Sequence, residues 1–298
     1  LSRWTTATAP PGDLRARLED LARRCDVLAD AMDWKFLYDR QGGIFSIGFR
    51  LADAEGPGRL DTGSYDLLAS ESRLASFIAI ARGEVPQEHW FRLSRALVSV
   101  EGRATLVSWS GSMFEYLMPL LVLRSHPETL LENTYRAVVR AQILYGRRQG
   151  VPWGISESAF NVVDPHGDYQ YKAFGVPGLG LKRGLAEDLV IAPYATALAA
   201  MVDPTAAAAN FRRLAREGAP GRFGFAEALD YTPRRALTAE GEVAPDPARV
   251  HAVRAFFAHH KGMSLVAIAN AVLDAPMVRR FHSDPRVQAT EPLLQERV

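Results

Sequence analysis

The chain has 298 residues, 48% of them apolar and 23% charged, and its 35 Lys and Arg against 34 Asp and Glu leave a net charge of +1. This is the composition of an ordinary soluble globular protein, long enough to bury a sizeable core in one large domain or two smaller ones. The charge balance gives no electrostatic case for nucleic acid or an anionic membrane and suits a neutral ligand. The single cysteine, Cys25, excludes an intrachain disulfide and points to a reducing compartment.

No apolar run is long enough to span a bilayer, and no basic-then-apolar leader opens the chain. With Leu1 in place of an initiator Met, the sequence reads as a fragment or a processed product. After a loose start at Pro10 and Pro11, residues 13–32 place Leu14, Leu18, Leu21, Cys25 and Leu28 at helical spacing. Residues 34–50 alternate apolar and polar on either side of Gly42 and Gly43, the pattern of a small hairpin. Residues 65–82, YDLLASESRLASFIAIAR, are expected as a nearly all-round apolar helix with Leu67, Glu71, Leu74 and Ile78 on one stripe. A carboxylate on such a stripe either pairs with a buried Arg or has its pKa raised.

A short strand is expected within 98–108. The run SWSGSMFEYLMPLLVL then predicts a second buried helix, with Ser110 to Ser112 as caps and Glu115 in its first turns, where capping and catalysis both remain open for that carboxylate. A long helix follows to Arg148 and stops at Gly150. Residues 193–201 and 204–217 predict two shorter helices, 237–247 a polar loop, and 250–257 and 262–273 helices meeting at AHHKGM. Residues 285–298 read as a tail or linker.

The stretch 151–184, VPWGISESAFNVVDPHGDYQYKAFGVPGLGLKRG, is too rich in Gly, Pro and aromatics for a helix and unlike a disordered linker. It sets Trp153, Tyr169, Tyr171 and Phe174 beside Glu157, Asp164, Asp168 and Lys172. Flat apolar faces with carboxylates suit a sugar cleft, although an ordinary structural loop with its aromatics in the core has the same composition. GAPGRFGFAEALDYTP repeats that mixture with Glu227 and Asp230. Helices dominate, and their loops are long, aromatic and acidic. We therefore expect a mainly α fold, an (α/α)6-like toroid with a small β-hairpin, whose roughly nine helices leave the ring incomplete. All 298 residues form one domain in this expectation.

Taken together, DTGSYDLLASESRLASFIAIARGEVPQEHWFRL, SWSGSMFEYLMPLL, PWGISESAFN, YQYKAFGVPGLGLKRGL, GRFGFAEALDYT and AHHKGMSLVAIAN resemble the glycoamylase-like domain of bacterial cyclic β-1,2-glucan synthases. The resemblance runs from about Trp34 to Leu273. It implies an (α/α)6 barrel akin to endo-β-1,2-glucanases that closes linear β-1,2-glucan into rings by retaining transglycosylation. It also implies neighbouring glycosyltransferase and phosphorylase-like domains in a longer parent protein, a cytoplasmic location at the inner membrane, and no cofactor. Two positions depart from the family pattern, Lys261 where Gln is more usual and Ser72 where Ala is more usual.

The candidate catalytic carboxylates are Glu71 and Glu157, with Glu115 and Glu227 in reserve. Glu71, on its apolar stripe, is expected to be the proton donor, and Glu157, in a polar loop, the ionised nucleophile, with the roles open to exchange. Trp109, Trp153, Tyr169, Tyr171, Lys172, Phe174, Asp230, His259 and His260 are the candidate sugar contacts. Adjacent His259 and His260 with His251 lack the spacing of a metal site. GVPGLGLKRG matches neither phosphate-binding fingerprint, and Ser108, Ser110 and Ser112 lie in no nucleophile elbow. A hydrolase of the endo-β-1,2-glucanase type and a non-catalytic glucan-binding module remain the alternatives.

Overall fold

The computed structural model describes residues 12–54, 56–233 and 250–297, with the backbone of the paired strands Ala236–Leu237 and Val243–Ala244. The loose start at Pro10 and Pro11 and most of the expected polar loop lie outside the described residues. The chain is mainly helical with several small antiparallel sheets.

Helix α1, Gly12–Asp30, forms where the leucine spacing predicts it, yet buries none of its residues. Arg82 ties its far end to the body by donating to the carbonyls of Ala29 and Asp30. The hairpin around Gly42 and Gly43 is present as Tyr38–Asp39 and Ile44–Ser46, extended to three strands by Ser64–Tyr65.

Helix α2, Arg73–Ala81, starts later than expected. Residues 66–72 instead form a turn, because Ser70 spends its side chain on local groups that a helix would use otherwise: its hydroxyl accepts from the Ser72 amide and meets the Ser72 hydroxyl at 2.9 Å. Glu71 therefore sits in that turn and not on a helical stripe. Arg73, 1% exposed, locks the turn down by donating to the carbonyls of Ser70, Glu115 and Tyr116.

After α3, Glu88–Arg92, a hairpin pairs Leu97–Val100 with Arg103–Leu106. Helix α4, Met113–Leu117, opens on a Ser112 capping box and breaks at Pro119. Helix α5, Leu130–Gln149, is capped by the Thr129 hydroxyl and closed by Gly150 at φ +73°.

Helix α6, Pro193–Ala199, is buried along its whole length between α4, α7 (Pro204–Arg216) and α8 (Ala258–Val272), and forms the centre of the core. Beside it lies a sheet of Val190–Ile191, Ala228–Asp230 and His251–Val253 with Ala228–Asp230 in the middle. Residues 250–257 thus contain a strand where a helix was expected. Val250, Ala252 and Phe257 pack on the core around a central sheet partner, and tertiary pairing outweighs weak local helical preference.

Much of 151–184 is likewise ordered, as a hairpin of Ser158–Val163 and Tyr169–Lys172. Asp164 shapes its turn, its side chain accepting from the amides of His166 and Asp168. The expected tail folds back as α10, Pro285–Thr290, after the short α9, Pro276–Phe281. Leu293 and Leu294 are buried, α10 packs on α2, and Arg95 pairs with Glu296 at 2.9 Å. Burial of those leucines makes this segment part of the domain.

Candidate active site

The site is assembled where the strap 174–182 crosses residues 108–112. Backbone bonds join the Ser108 amide to Leu179, the Leu181 amide to Ser108 and the Lys182 amide to Trp109. Contact is close enough that a Cβ on Gly175 would lie 1.7 Å from the Ser110 carbonyl oxygen, so only glycine fits there.

Under this crossing lies Glu115. Its carboxylate accepts from the hydroxyls of Ser108, Ser110 and Ser112 at 2.9, 2.6 and 3.0 Å, and from the amides of Ser110 and Ser112. Both oxygens are spoken for, so Glu115 acts as the clamp of this corner rather than a spare catalytic acid. The three serines are its ring of donors.

Glu71 projects from the turn before α2 with one side-chain partner, the Ser70 hydroxyl at 3.1 Å. Arg73 is buried close by, but its donors are directed to backbone carbonyls and the Tyr135 hydroxyl. Burial therefore raises the Glu71 pKa, and the Glu115 charge adds to the effect.

Glu157 is held from below. The Gln142 amide group grips the backbone of Gly154 and Ile155, Ser156 caps the Phe114 amide, and the Tyr194 hydroxyl donates to the Glu157 carbonyl at 2.9 Å. Residues 151–156 are buried, which overturns the expectation of a polar loop around an ionised Glu157. Desolvation first, and the Glu71 charge second, push the Glu157 pKa up to about 7, against a hydrogen bond from the Tyr171 hydroxyl that lowers it. The charges of Glu71 and Glu115 thus act in the same sense as burial on Glu157.

Three tyrosines enclose this pair. Tyr65, whose phenol is raised by burial and by the charges of Glu71 and Glu157, lies near both carboxyls. Tyr171 reaches Glu157 from the hairpin, and Tyr194 supports it from α6. Neither Tyr65 nor Tyr194 was expected in the site. No spacing rule connects them to it, because they come from a two-residue strand and a buried helix.

Behind Tyr171 the imidazole of His260 binds Glu227 at 2.6 Å, both residues being fully buried. Asp230 is buried too, but its carboxylate accepts from the amides of Asn161 and Thr232 and pins the hairpin to the central sheet. Lys172 pairs with Asp188 at 2.5 Å.

The aromatic candidates divide by exposure. Trp153 and Phe174 are only 7% and 3% exposed and are core residues, Trp153 over α7 through Asn210 and Phe174 against Phe160, so neither can stack on a sugar. Tyr169 is partly buried against the core. Tyr171 and Trp109 are 44% and 61% exposed, and His259 is exposed beside Phe257. No group of three or more His, Cys, Asp or Glu among the described residues could hold a metal ion.

The Glycoamylase family model matches residues 64–285, a stretch that contains Tyr65, Glu71, Glu157, Tyr171, Glu227 and His260. The chain belongs to the glycoamylase family. It is 49% identical over 284 residues to the cyclic β-(1,2)-glucan synthase NdvB of Rhizobium meliloti, covering 95% of this chain and 10% of that protein's length. This glycoamylase-family fold is also similar to an endo-β-1,2-glucanase of Chitinophaga pinensis, solved with sophorotriose and glucose. The TM-score is 0.65 at 17% identity, over 93% of this chain and 65% of that one. An endo-β-1,2-glucanase of Talaromyces funiculosus solved with sophorose gives 0.60 at 17% identity, over 88% and 54%. At such identities the likeness is one of fold. No helix among the described residues is long and apolar enough to cross a membrane.

Proposed function

We propose that this domain acts on β-1,2-glucan and closes linear chains into rings by retaining transglycosylation, with Glu71 and Glu157 as its reacting carboxyls. The observation that carries this is the pair itself: two desolvated carboxyls, both raised in pKa, neither in an ion pair and both beside tyrosines, which a module that only binds sugar has no reason to bury. The identity to a cyclic β-(1,2)-glucan synthase supplies the substrate class and the ring-closing outcome.

Glu157, protonated up to about pH 7, gives its proton to the leaving glycosidic oxygen. Glu71, ionised first, attacks the anomeric carbon and forms a glycosyl ester while the bond to the leaving sugar breaks. A hydroxyl at the chain's own far end, deprotonated by Glu157, then displaces Glu71 and closes the ring. These roles exchange those expected from the sequence, because burial is greater around residue 157 than a polar loop would give. Water in place of that hydroxyl would make the product a shorter linear chain.

We further read the helices as part of an α/α toroid, supported by the likeness to the endo-β-1,2-glucanases. The chain spans 10% of its relative's length, so we place it beside other domains of a longer protein, with glycosyltransferase and phosphorylase-like neighbours and a membrane tether outside this chain.

The test incubates purified protein with linear β-1,2-glucan and follows products by mass spectrometry. Products one water lighter than linear chains are expected, and they should vanish in Glu71→Gln and Glu157→Gln variants that still fold. Unchanged glucan with a folded protein would favour the binding module, and shorter linear chains the hydrolase.

A further inference from the structure

Helix α1 carries a feature that the reaction above does not use. Leu14, Leu18, Leu21, Cys25 and Leu28 follow one another at steps of four and three residues, the d and a positions of a heptad, and so form one seam along the helix. A helix packed on its own domain would bury that side. This one buries none of its residues: Leu18, Leu21 and Leu28 are 52%, 55% and 69% exposed, and Cys25 is exposed between them. Arg82 holds the last turn through the Ala29 and Asp30 carbonyls, and Arg286 approaches the Asp30 carboxylate at 3.7 Å, so the body fixes the end of the helix and leaves its seam in solvent. Single exposed leucines are ordinary, but a continuous stripe of them marks a surface that packs on something.

The residues beside the seam select what covers it. The flanking e and g positions of the helix are Arg15, Arg17, Ala22, Arg24 and Ala29, three cations and no acid. Arg15 shares the Glu19 carboxylate at 2.9 Å, while Arg17 and Arg24 pair with no acid among the described residues. The acids of the helix, Asp13, Glu19, Asp20, Asp26 and Asp30, occupy the b, c and f positions turned away from the seam, where water and salt screen them from a partner on it. A second copy of the chain fits poorly. Parallel copies would set Arg17 and Arg24 against Ala22 and Ala29, and antiparallel copies would set Arg24 against Arg24, so neither supplies an opposite charge. An anionic bilayer fits poorly too, because the stripe is narrow, lacks an aromatic anchor and belongs to a helix with more acids than arginines. A helix with its own apolar seam, flanked by Glu or Asp, matches both the leucines and the arginines.

We propose that α1 is a docking helix for an acidic-flanked apolar helix from outside this chain, laid along residues 14–28 with its carboxylates on Arg17 and Arg24. A protein as long as the cyclic β-(1,2)-glucan synthase relative, of which this chain spans 10%, has room to supply such a helix.

Cys25, the chain's single cysteine, sits at the middle of the seam, so the rate of its alkylation by N-ethylmaleimide reports whether the seam is covered. The probe is a synthetic peptide of three heptads with Ile at a, Leu at d and Glu at every e and g, compared with the same peptide carrying Lys at e and g. At saturation the Glu peptide should slow alkylation by about tenfold or more. The Lys peptide should protect with an apparent affinity about tenfold lower, the worth of two or three surface ion pairs. Leu21→Glu should abolish protection without moving the melting temperature, since α1 buries nothing. Arg17→Glu combined with Arg24→Glu should reverse the preference towards the Lys peptide. Failure of both peptides to protect, equal protection by both, or a preference that survives the double arginine variant would each overturn the proposal. So would a dimer seen by light scattering and lost in Leu21→Glu, which would make the occupant a second copy. Binding to phosphatidylcholine–phosphatidylglycerol vesicles that Leu21→Glu abolishes would overturn it in favour of a membrane. Glucan takes no part in these measurements, so a chain inert towards it would count against the proposed function alone.

Discussion

Two glutamates a short distance apart show opposite solutions to burying a carboxylate. Glu115 is surrounded by five donors from three serines, and its charge stitches residues 108–112 to the cap of α4. Glu157 is less deeply buried, with a phenol as its side-chain donor and another acid as its neighbour, yet it keeps its proton to about pH 7. The contrast teaches that donors, more than depth, decide whether a buried acid is structural or reactive. A carboxylate given every hydrogen bond has nothing left to do for a substrate. A carboxyl denied them is poised to exchange a proton.

The sharpest way to break this contrast is to neutralise each acid and watch turnover. Glu157→Gln and Glu71→Gln should each lower the initial rate on linear β-1,2-glucan by about 10²–10⁴-fold, the worth of a positioned acid or base. Thermal unfolding should change little. A Glu157→Gln variant that keeps the parent rate would end the assignment.

Stability should respond in the opposite order. Removing Glu115 strands buried hydroxyls and amides, so Glu115→Ala should cost about 3 kcal/mol in urea unfolding. Glu157→Ala removes a carboxyl that burial and Glu71 oppose, and should leave stability unchanged or slightly raised. Equal losses at the two positions would show that the difference in donors has no energetic consequence.

The pH dependence follows from the same difference. The folded state holds the Glu157 proton to about pH 7, above the ordinary value of 4.5. Between those limits the native state binds more protons than the unfolded one, so the contribution of this group to stability is intact below about pH 4.5 and is lost as pH rises through 7. Allowing for partial solvent access, the loss is about 1–2 kcal/mol. Melting temperature measured across that window should fall less steeply in Glu157→Gln, and an unaltered slope would count against the raised pKa.

Local rules carried far where chain neighbours decide the outcome. The Gly150 stop of α5 and the Gly42–Gly43 turn are readable because the residues that form them are adjacent in sequence. The acids at 71 and 157 stood out from their apolar or aromatic settings, but for partly mistaken reasons. Glu71 lies in a serine-shaped turn, and the segment carrying Glu157 is packed on α4, α5 and α6 through bonds that span 13 to 42 residues. Pairing across long separations left no local signal: Glu227 finds His260 thirty-three residues away, and Asp230 finds the Asn161 amide sixty-nine away. Composition was silent on aromatics as well, since a core and a sugar cleft draw on the same side chains.

That last ambiguity yields the smallest and most discriminating test. Trp109 and Trp153 are the same residue type in the same candidate group, one 61% exposed beside the site and the other 7% exposed over α7. An indole that stacks on a pyranose loses only binding when truncated, so Trp109→Ala should weaken glucan affinity by about 1–2 kcal/mol, by analogy with stacking of bases on aromatic platforms, and leave the melting temperature in place. An indole that fills the core loses packing, so Trp153→Ala should lower the melting temperature while the protein that remains folded binds glucan with the parent affinity. Isothermal titration with linear β-1,2-glucan, run beside calorimetric melting of both variants, separates the two. If Trp153→Ala weakened binding as much as Trp109→Ala, burial would not be what divides sugar contacts from core in this fold.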